Sequence, residues 1–357
     1  MYLTAYFLSS RRVAELMLTF FVVLLLIPAA SADMFPHESI QLTNGSNNDH
    51  PSWSPDGNRL VFASDQAIWS MNPDGSGRKR VYDGLAWEGE PVYNHDGDKI
   101  YYASESKNAF SARYISVHSM DVDGANVLKL TETADARGPS VSPDGTQIAY
   151  VSRIAGNYDV WVMDVDGSNN VRITDSPGDE ASPSWSPDGS SLLYSLDGAI
   201  FVQGIESVKP VELLNNSYDN VEPVYSPDGK MIAFSSNQGG DYDLWLMDDD
   251  GKSFSMLTSA ESNERAPSWS PDGNKIAYVS NEGGDYNIWL MTFDSGIVEL
   301  EGVVEQNTDS RQNQLNPFVE KIRIFATEDP RTFIVSVLVI SFLIVTFIVY
   351  SFLRKIH

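Results

Sequence analysis

The sequence predicts an all-β protein. It reads as a six-bladed β-propeller of four-stranded blades, closed by an N-terminal strand and followed by one C-terminal transmembrane helix. Three observations predict it. A seven-residue stretch, PSWSPDG or a close variant, returns six times at roughly 40–48-residue spacing. Each return is followed by a short strand of alternating apolar and polar residues. Near the C-terminus, Phe333–Leu353 runs without a charge, long enough at about 1.5 Å per residue to cross a hydrocarbon core of about 30 Å.

The repeats begin at Pro51, Pro91, Pro139, Pro183, Pro223 and Pro267. Each opens with a short strand and a Pro-Asp-Gly turn, Pro suiting the second turn position and Gly the fourth. Only the second repeat departs, with Asn94-His95 in place of Ser-Pro. A second strand follows: RLVFAS, KIYYAS, QIAYVS, SLLYSL, MIAFSS and KIAYVS. The third strand carries a large ring at one place, Trp69, His118, Trp161, Phe201, Trp245 and Trp289, with Met two residues later in five repeats. Residues two apart share a face of a strand, so this stripe is expected to pack between neighbouring sheets. A second turn, NPDG, DVDG or DDDG, leads to a fourth strand ending in Leu-Thr or Ile-Thr. The sixth repeat has clear strands only as far as Met291. The strand it lacks is expected at Ile40–Thr43, with Ile297–Gly302 as the competing segment. An open ring would leave bare strand edges, and closure removes them.

These residues resemble the repeats of the TolB-like (PD40, WD40-like) propeller family, which run W-S-P-D-G, then I-A-Y-x-S, then a Gly/Asp loop, then a strand ending near M-D-x-D-G. Pro267–Met291, PSWSPDGNKIAYVSNEGGDYNIWLM, matches almost throughout. The resemblance covers about residues 40–296. It implies the propeller fold and a family that includes partner-binding subunits as well as lyases and peptidase caps. It does not extend to the α/β domain that precedes the propeller in TolB, since only Asp33–Glu38 stand before the first strand.

The flanks predict a location. Residues 1–32 read as a signal peptide: Arg11 and Arg12, the apolar Leu16–Ile27, then Ala30 and Ala32 at a cleavage site. Residues 33–296 then form the propeller, 297–332 a stalk, 333–353 the spanning helix and 354–357 a cytoplasmic tail. Arg354 and Lys355 beside the span place that tail inside. The expectation is a single-pass protein of the cell membrane with a monomeric propeller on the extracytoplasmic side.

Composition narrows the function. Forty-nine acidic against 24 basic residues give a formal charge of −25, which argues against nucleic acid, whose binding depends on Lys and Arg displacing counterions. With no cysteine, disulfides and thiol chemistry are excluded. Nothing of the form G-x-S-x-G or H-E-x-x-H occurs. The DVDG stretches at Asp121–Gly124 and Asp164–Gly167 lack the first and last ligands of a calcium loop and are expected as turns. No catalytic residue, metal site or cofactor is assigned, with room only for a weakly held calcium ion.

The candidate site is the mouth of the propeller, built from the loops just before each repeat proline. They supply Asp49, Glu88, Glu90, Asp135, Asp179, Glu180, Asp219, Glu222 and Glu264, with Arg137 and Arg265. Carboxylates gathered round one pore focus a negative field. The longer loop Glu105–Ile115 offers Phe110 and Arg113 as a recognition element. The expected function is a non-catalytic scaffold that holds a protein, a basic peptide or a ligand at this acidic mouth. A propeller lyase or hydrolase using the same carboxylates or a bound cation is the alternative, and a structural cell-surface element the third.

Overall fold

The structure is a computed structural model that describes residues 38–293, apart from 46, 85, 108–112, 133–134 and 208. Those residues form six antiparallel four-stranded sheets, five with their strands in chain order from the inside outwards and the sixth with the first strand of the chain on its outer edge. The inner strands are Asn48–Trp53, Glu88–Tyr93, Ala136–Val141, Glu180–Trp185, Asn220–Tyr225 and Glu264–Trp269. Each touches the next round the ring, and the sixth touches the first. Blades 1 to 6 are numbered from these strands. In blade 6 the outermost strand is Glu38–Gln41, which pairs with Asn287–Thr292 from Glu38 opposite Thr292 to Gln41 opposite Trp289. The closing strand thus lies two residues before the expected Ile40–Thr43, and Thr43 follows it as an anchor: its hydroxyl receives the Ile288 N–H at 2.9 Å. Thr131, Thr174 and Thr258 do the same for Val117, Val160 and Leu244, which explains the Leu-Thr or Ile-Thr endings.

The turn after each inner strand is fixed by its own side chains. In blade 1 the Gly57 N–H reaches the Ser54 carbonyl at 2.9 Å, and Gly57 adopts φ +70°, a conformation that disfavours a side chain. Ser54 Oγ donates to Asp56 at 2.6 Å while receiving the Arg59 N–H at 2.9 Å. The same pair recurs as Ser142–Asp144, Ser186–Asp188, Ser226–Asp228 and Ser270–Asp272. Blade 2 substitutes Asn94, whose amide oxygen receives the Lys99 N–H at 2.9 Å. The DVDG stretches close third-to-fourth-strand turns, Gly124 onto Asp121 and Gly167 onto Asp164.

Among the described residues six hydrophobic clusters hold the ring, one for each seam between blades. One position of every second strand, Leu60, Ile100, Ile148, Leu192, Ile232 or Ile276, is fully buried. Truncating any one to alanine is expected to cost about 2–5 kcal/mol. The seam that closes the ring is as well made as the rest. Trp53, Leu60, Phe62 and Met71 of blade 1 pack on Ala277, Val279, Ile288 and Leu290 of blade 6, and Trp53 donates its indole N–H to the Ser268 carbonyl at 3.1 Å. Trp185 makes the same bond to Ser140 in blade 3. The ring stripe packs as expected, His118 included: it lies 5.5 Å from the Tyr102 ring, and burial pushes its imidazole down to about 4, leaving it neutral.

Among the described residues no helix is long and apolar enough to cross a membrane. The signal segment, the stalk, the span at 333–353, the tail and the competing strand at 297–302 lie outside the described residues.

Candidate functional site

In a meander the strand ends alternate. The loops that join blades and those that join second to third strands therefore share one end of the ring, and the Pro-Asp-Gly and Asp-x-Asp-Gly turns share the other. At the first end, each inner strand carries a bulge between the second residue before the repeat proline and the residue after it. The residue immediately before the proline is left-handed in all six blades: His50, Glu90, Gly138, Ser182, Glu222 and Ala266, with φ between 47° and 64°. A left-handed residue costs roughly 1–2 kcal/mol unless it is glycine. Bulges re-aim side chains, and this one is repeated six times round the axis.

At two of these positions the side chain bonds to the same position of the next blade. Glu90 receives the Gly138 N–H of the next blade at 2.6 Å. Diametrically opposite, Glu222 receives the Ala266 N–H at 2.7 Å and the Ser235 hydroxyl at 3.1 Å. His50 lies 3.0 Å from Asp49. Burial alone would lower the His50 imidazole, but Asp49, then Glu90 and Glu222, override it and push it up to about 10. Glu222 is two blades away from His50 and influences it across the channel. Asp49 moves the other way: burial raises it, His50 and Arg265 outweigh this, and it ends below the usual carboxylate range. Asp49 in contact, and Glu90 and Glu222 at longer range, thus favour the protonated form of His50.

Two aromatic–cation groups flank this centre. Arg137 and Arg153 both stack on Tyr158, at 4.4 and 4.5 Å from its centroid, and Arg153 reaches Asp179 at 3.5 Å. Arg265 stacks on Tyr242 at 3.8 Å, whose hydroxyl donates to Asp219. Asp135 and Asp179 also brace loops, receiving the N–H groups of Ile115 at 2.9 Å and Tyr158 at 2.8 Å.

Three of the expected mouth residues are elsewhere. Glu88, Glu180 and Glu264 stand three positions before their prolines and are 1–2 % exposed. Asn48, Ala136 and Asn220 fill the same column in the odd blades, equally buried. This column points between blades, not into the channel. Burial pushes Glu88 and Glu180 up to about 7 and raises Glu264. Glu264 is satisfied on one oxygen by Ser262 at 2.6 Å and Ser280 at 2.7 Å, and burial with Glu264 nearby pushes Asp243 up to about 7. In this conformation no ligand reaches them. Of the recognition loop, Arg113 is exposed and pairs with Glu105 at 3.0 Å, while Phe110 lies outside the described residues. Sequence reasoning missed His50, Arg153, Tyr158 and Tyr242. Reading the repeat column by column would have isolated His50, the residue just before the first proline.

A closed six-bladed ring with a polar, inward-turned mouth is a propeller of the kind that carries its chemistry in loops on a rigid frame. Its family is shown directly. The TolB beta propeller domain model matches residues 33–158 and 146–341, and the chain belongs to that family. An uncharacterized protein of Agrobacterium fabrum is 32% identical over 158 residues, 40% of this chain and 52% of that one. The chain thus matches about half the length of this curated relative. TolB from Acinetobacter baumannii superimposes with a TM-score of 0.53 at 20% identity, over 71% of this chain and 65% of the other. An oligogalacturonate lyase from Vibrio parahaemolyticus does so with a TM-score of 0.51 at 15% identity, over 71% and 80%. Likeness at these identities speaks for the fold alone.

Proposed function

We propose that the protein is a membrane-tethered extracytoplasmic propeller that binds a basic, extended segment of a partner protein at its channel mouth. The observation that carries this reading is the cation site around His50. Asp49, Glu90 and Glu222 come from blades 1, 2 and 5, and the two glutamates are held in place by backbone N–H groups of the following blades. A partner's Lys or Arg enters the same carboxylate group, and Tyr158 and Tyr242, already faced by arginines, offer flat surfaces to the rest of the segment. Family membership supports the scaffold, since one of the solved relatives is a TolB. The tether rests on the uncharged run 333–353 and on Arg354 and Lys355 behind it.

Fluorescence anisotropy with a labelled lysine-rich octapeptide tests it. Binding should be at least about tenfold tighter than for a glutamate-rich octapeptide and should weaken with salt. Equal binding of the two would refute the mouth as a cation-reading site. The lyase or hydrolase alternative, for which the Vibrio enzyme is the structural precedent, would show instead as turnover of a polysaccharide or ester lost on substituting channel carboxylates.

A further inference from the structure

At the opposite end of the ring, the seam between blades 1 and 2 opens into a cavity of about 450 Å³, within the size range of small-molecule sites. Ser54, Asp56, Arg59, Ser70, Lys79, Tyr93 and Asp96 supply its polar lining. The repeat shows what is special here. Where blade 1 has Arg59 facing Asn72, blade 2 has Lys99 paired with Asp121 at 2.9 Å, and blades 3 and 5 carry Asp164 and Asp248 in the column of Asn72. Arg59 instead donates to two neutral oxygens, Asn72 Oδ1 at 2.9 Å and Ser70 Oγ at 2.6 Å. Lys79 stands in a column that holds exposed Leu128, Val171, Val211 and Ile40 in other blades. Among the described residues neither Arg59 nor Lys79 has a carboxylate partner. In a chain of formal charge −25, two unpaired cations on one cavity are a selective feature.

The two carboxylates on the lining differ in state. Asp56 is consumed by its turn, accepting from Ser54 Oγ at 2.6 Å, Asn58 N at 3.0 Å and Asn58 Nδ2 at 2.9 Å. Asp96 sits in the one turn that lacks the serine, because Asn94 replaces it, and is exposed. We propose that this cavity binds a small hydroxylated anion, a sugar acid or sugar phosphate, with its anionic group on Arg59 and Lys79 and a hydroxyl donating to Asp96. Tyr93 offers a further hydrogen-bonding hydroxyl, and a neutral amide at position 72 leaves the charge of the guanidinium without a counter-ion, although the amide accepts one of its N–H groups.

Isothermal titration of the full-length protein with glucuronate, glucose 6-phosphate, inorganic phosphate and glucose tests the assignment. Binding of either anionic sugar, at least about tenfold tighter than glucose or phosphate, supports it, and which of the two binds tells carboxylate from phosphate. Lys79→Leu installs the residue type of blade 2 at an exposed position, and Asn72→Asp installs the carboxylate that blades 2, 3 and 5 carry in this column, which in blade 2 is the counter-ion of Lys99. Neither should unfold the ring, which circular dichroism verifies, and each should lower the affinity about tenfold or more. Glu222→Gln, at the other end of the ring, should leave it unchanged. Absence of binding by the native protein, equal binding of glucose, or unaltered affinity in both Lys79→Leu and Asn72→Asp would overturn it.

Discussion

At the scale of single residues, the left-handed position before each repeat proline links conformation to function. Gly138 adopts it freely, while His50, Glu90, Ser182, Glu222 and Ala266 do so at a cost. Among the described residues Ser182 makes no side-chain hydrogen bond to repay the cost in the way Glu90 and Glu222 do. Ser182→Gly is therefore expected to stabilise the protein by about 1 kcal/mol in urea titration, whereas Glu222→Gly should destabilise it, because it removes the acceptor for the Ala266 N–H and the Ser235 hydroxyl. An unchanged midpoint for Ser182→Gly would show that the conformation carries no strain. None of this was legible in the sequence: a left-handed Ser or Ala has no compositional mark, and pooling the loop carboxylates hid the fact that one column faces the channel and another faces the seam.

At the scale of elements, the inner strands of blades 2, 4 and 6 each bury a glutamate at the seam with the preceding blade. Burial raises all three carboxyls, Glu88 and Glu180 to about 7. The folded state binds the proton more tightly than the unfolded chain does. Their contribution to stability is therefore full below about pH 4, the unfolded range, and is lost as pH rises through 7. Urea midpoints should fall between pH 5 and pH 8, and the combined Glu88→Gln, Glu180→Gln variant should flatten that slope. A slope of the same size in the variant would assign it to other groups. The Ser-Pro-Asp-Gly turn, by contrast, was fully legible, because its serine and aspartate satisfy each other locally and need no distant partner to be predicted.

At the scale of the whole molecule, closure is the organising event. The strand pattern alone showed a missing fourth strand in blade 6 and an unused apolar segment near the N-terminus, which together imply a closed ring. The two-residue offset of the closing strand was not legible, because Leu42 and Thr43 stay tied to the same neighbour after the regular ladder ends, through the Leu42 N–H on the Ile288 carbonyl at 2.8 Å and the Ile288 N–H on the Thr43 hydroxyl. Replacing Glu38–Thr43 by a Gly/Ser segment of equal length should bare the edge of Asn287–Thr292 and produce concentration-dependent oligomers on light scattering. A monodisperse monomer of native stability would mean that another segment takes the slot. Closure also decides what the mouth can be, since the Glu222 and His50 side chains influence each other across the ring only if blades 5, 6 and 1 are locked in sequence.

The central claim is that the carboxylates around His50 form the recognition site for a cationic segment. Anisotropy titration of the Glu90→Gln, Glu222→Gln variant against the lysine-rich octapeptide, beside native protein and His50→Gln, tests it most directly. The predicted result is a loss of at least about tenfold in affinity for the double variant and a gain for His50→Gln, which removes the resident cation. An affinity unchanged in both would contradict the account.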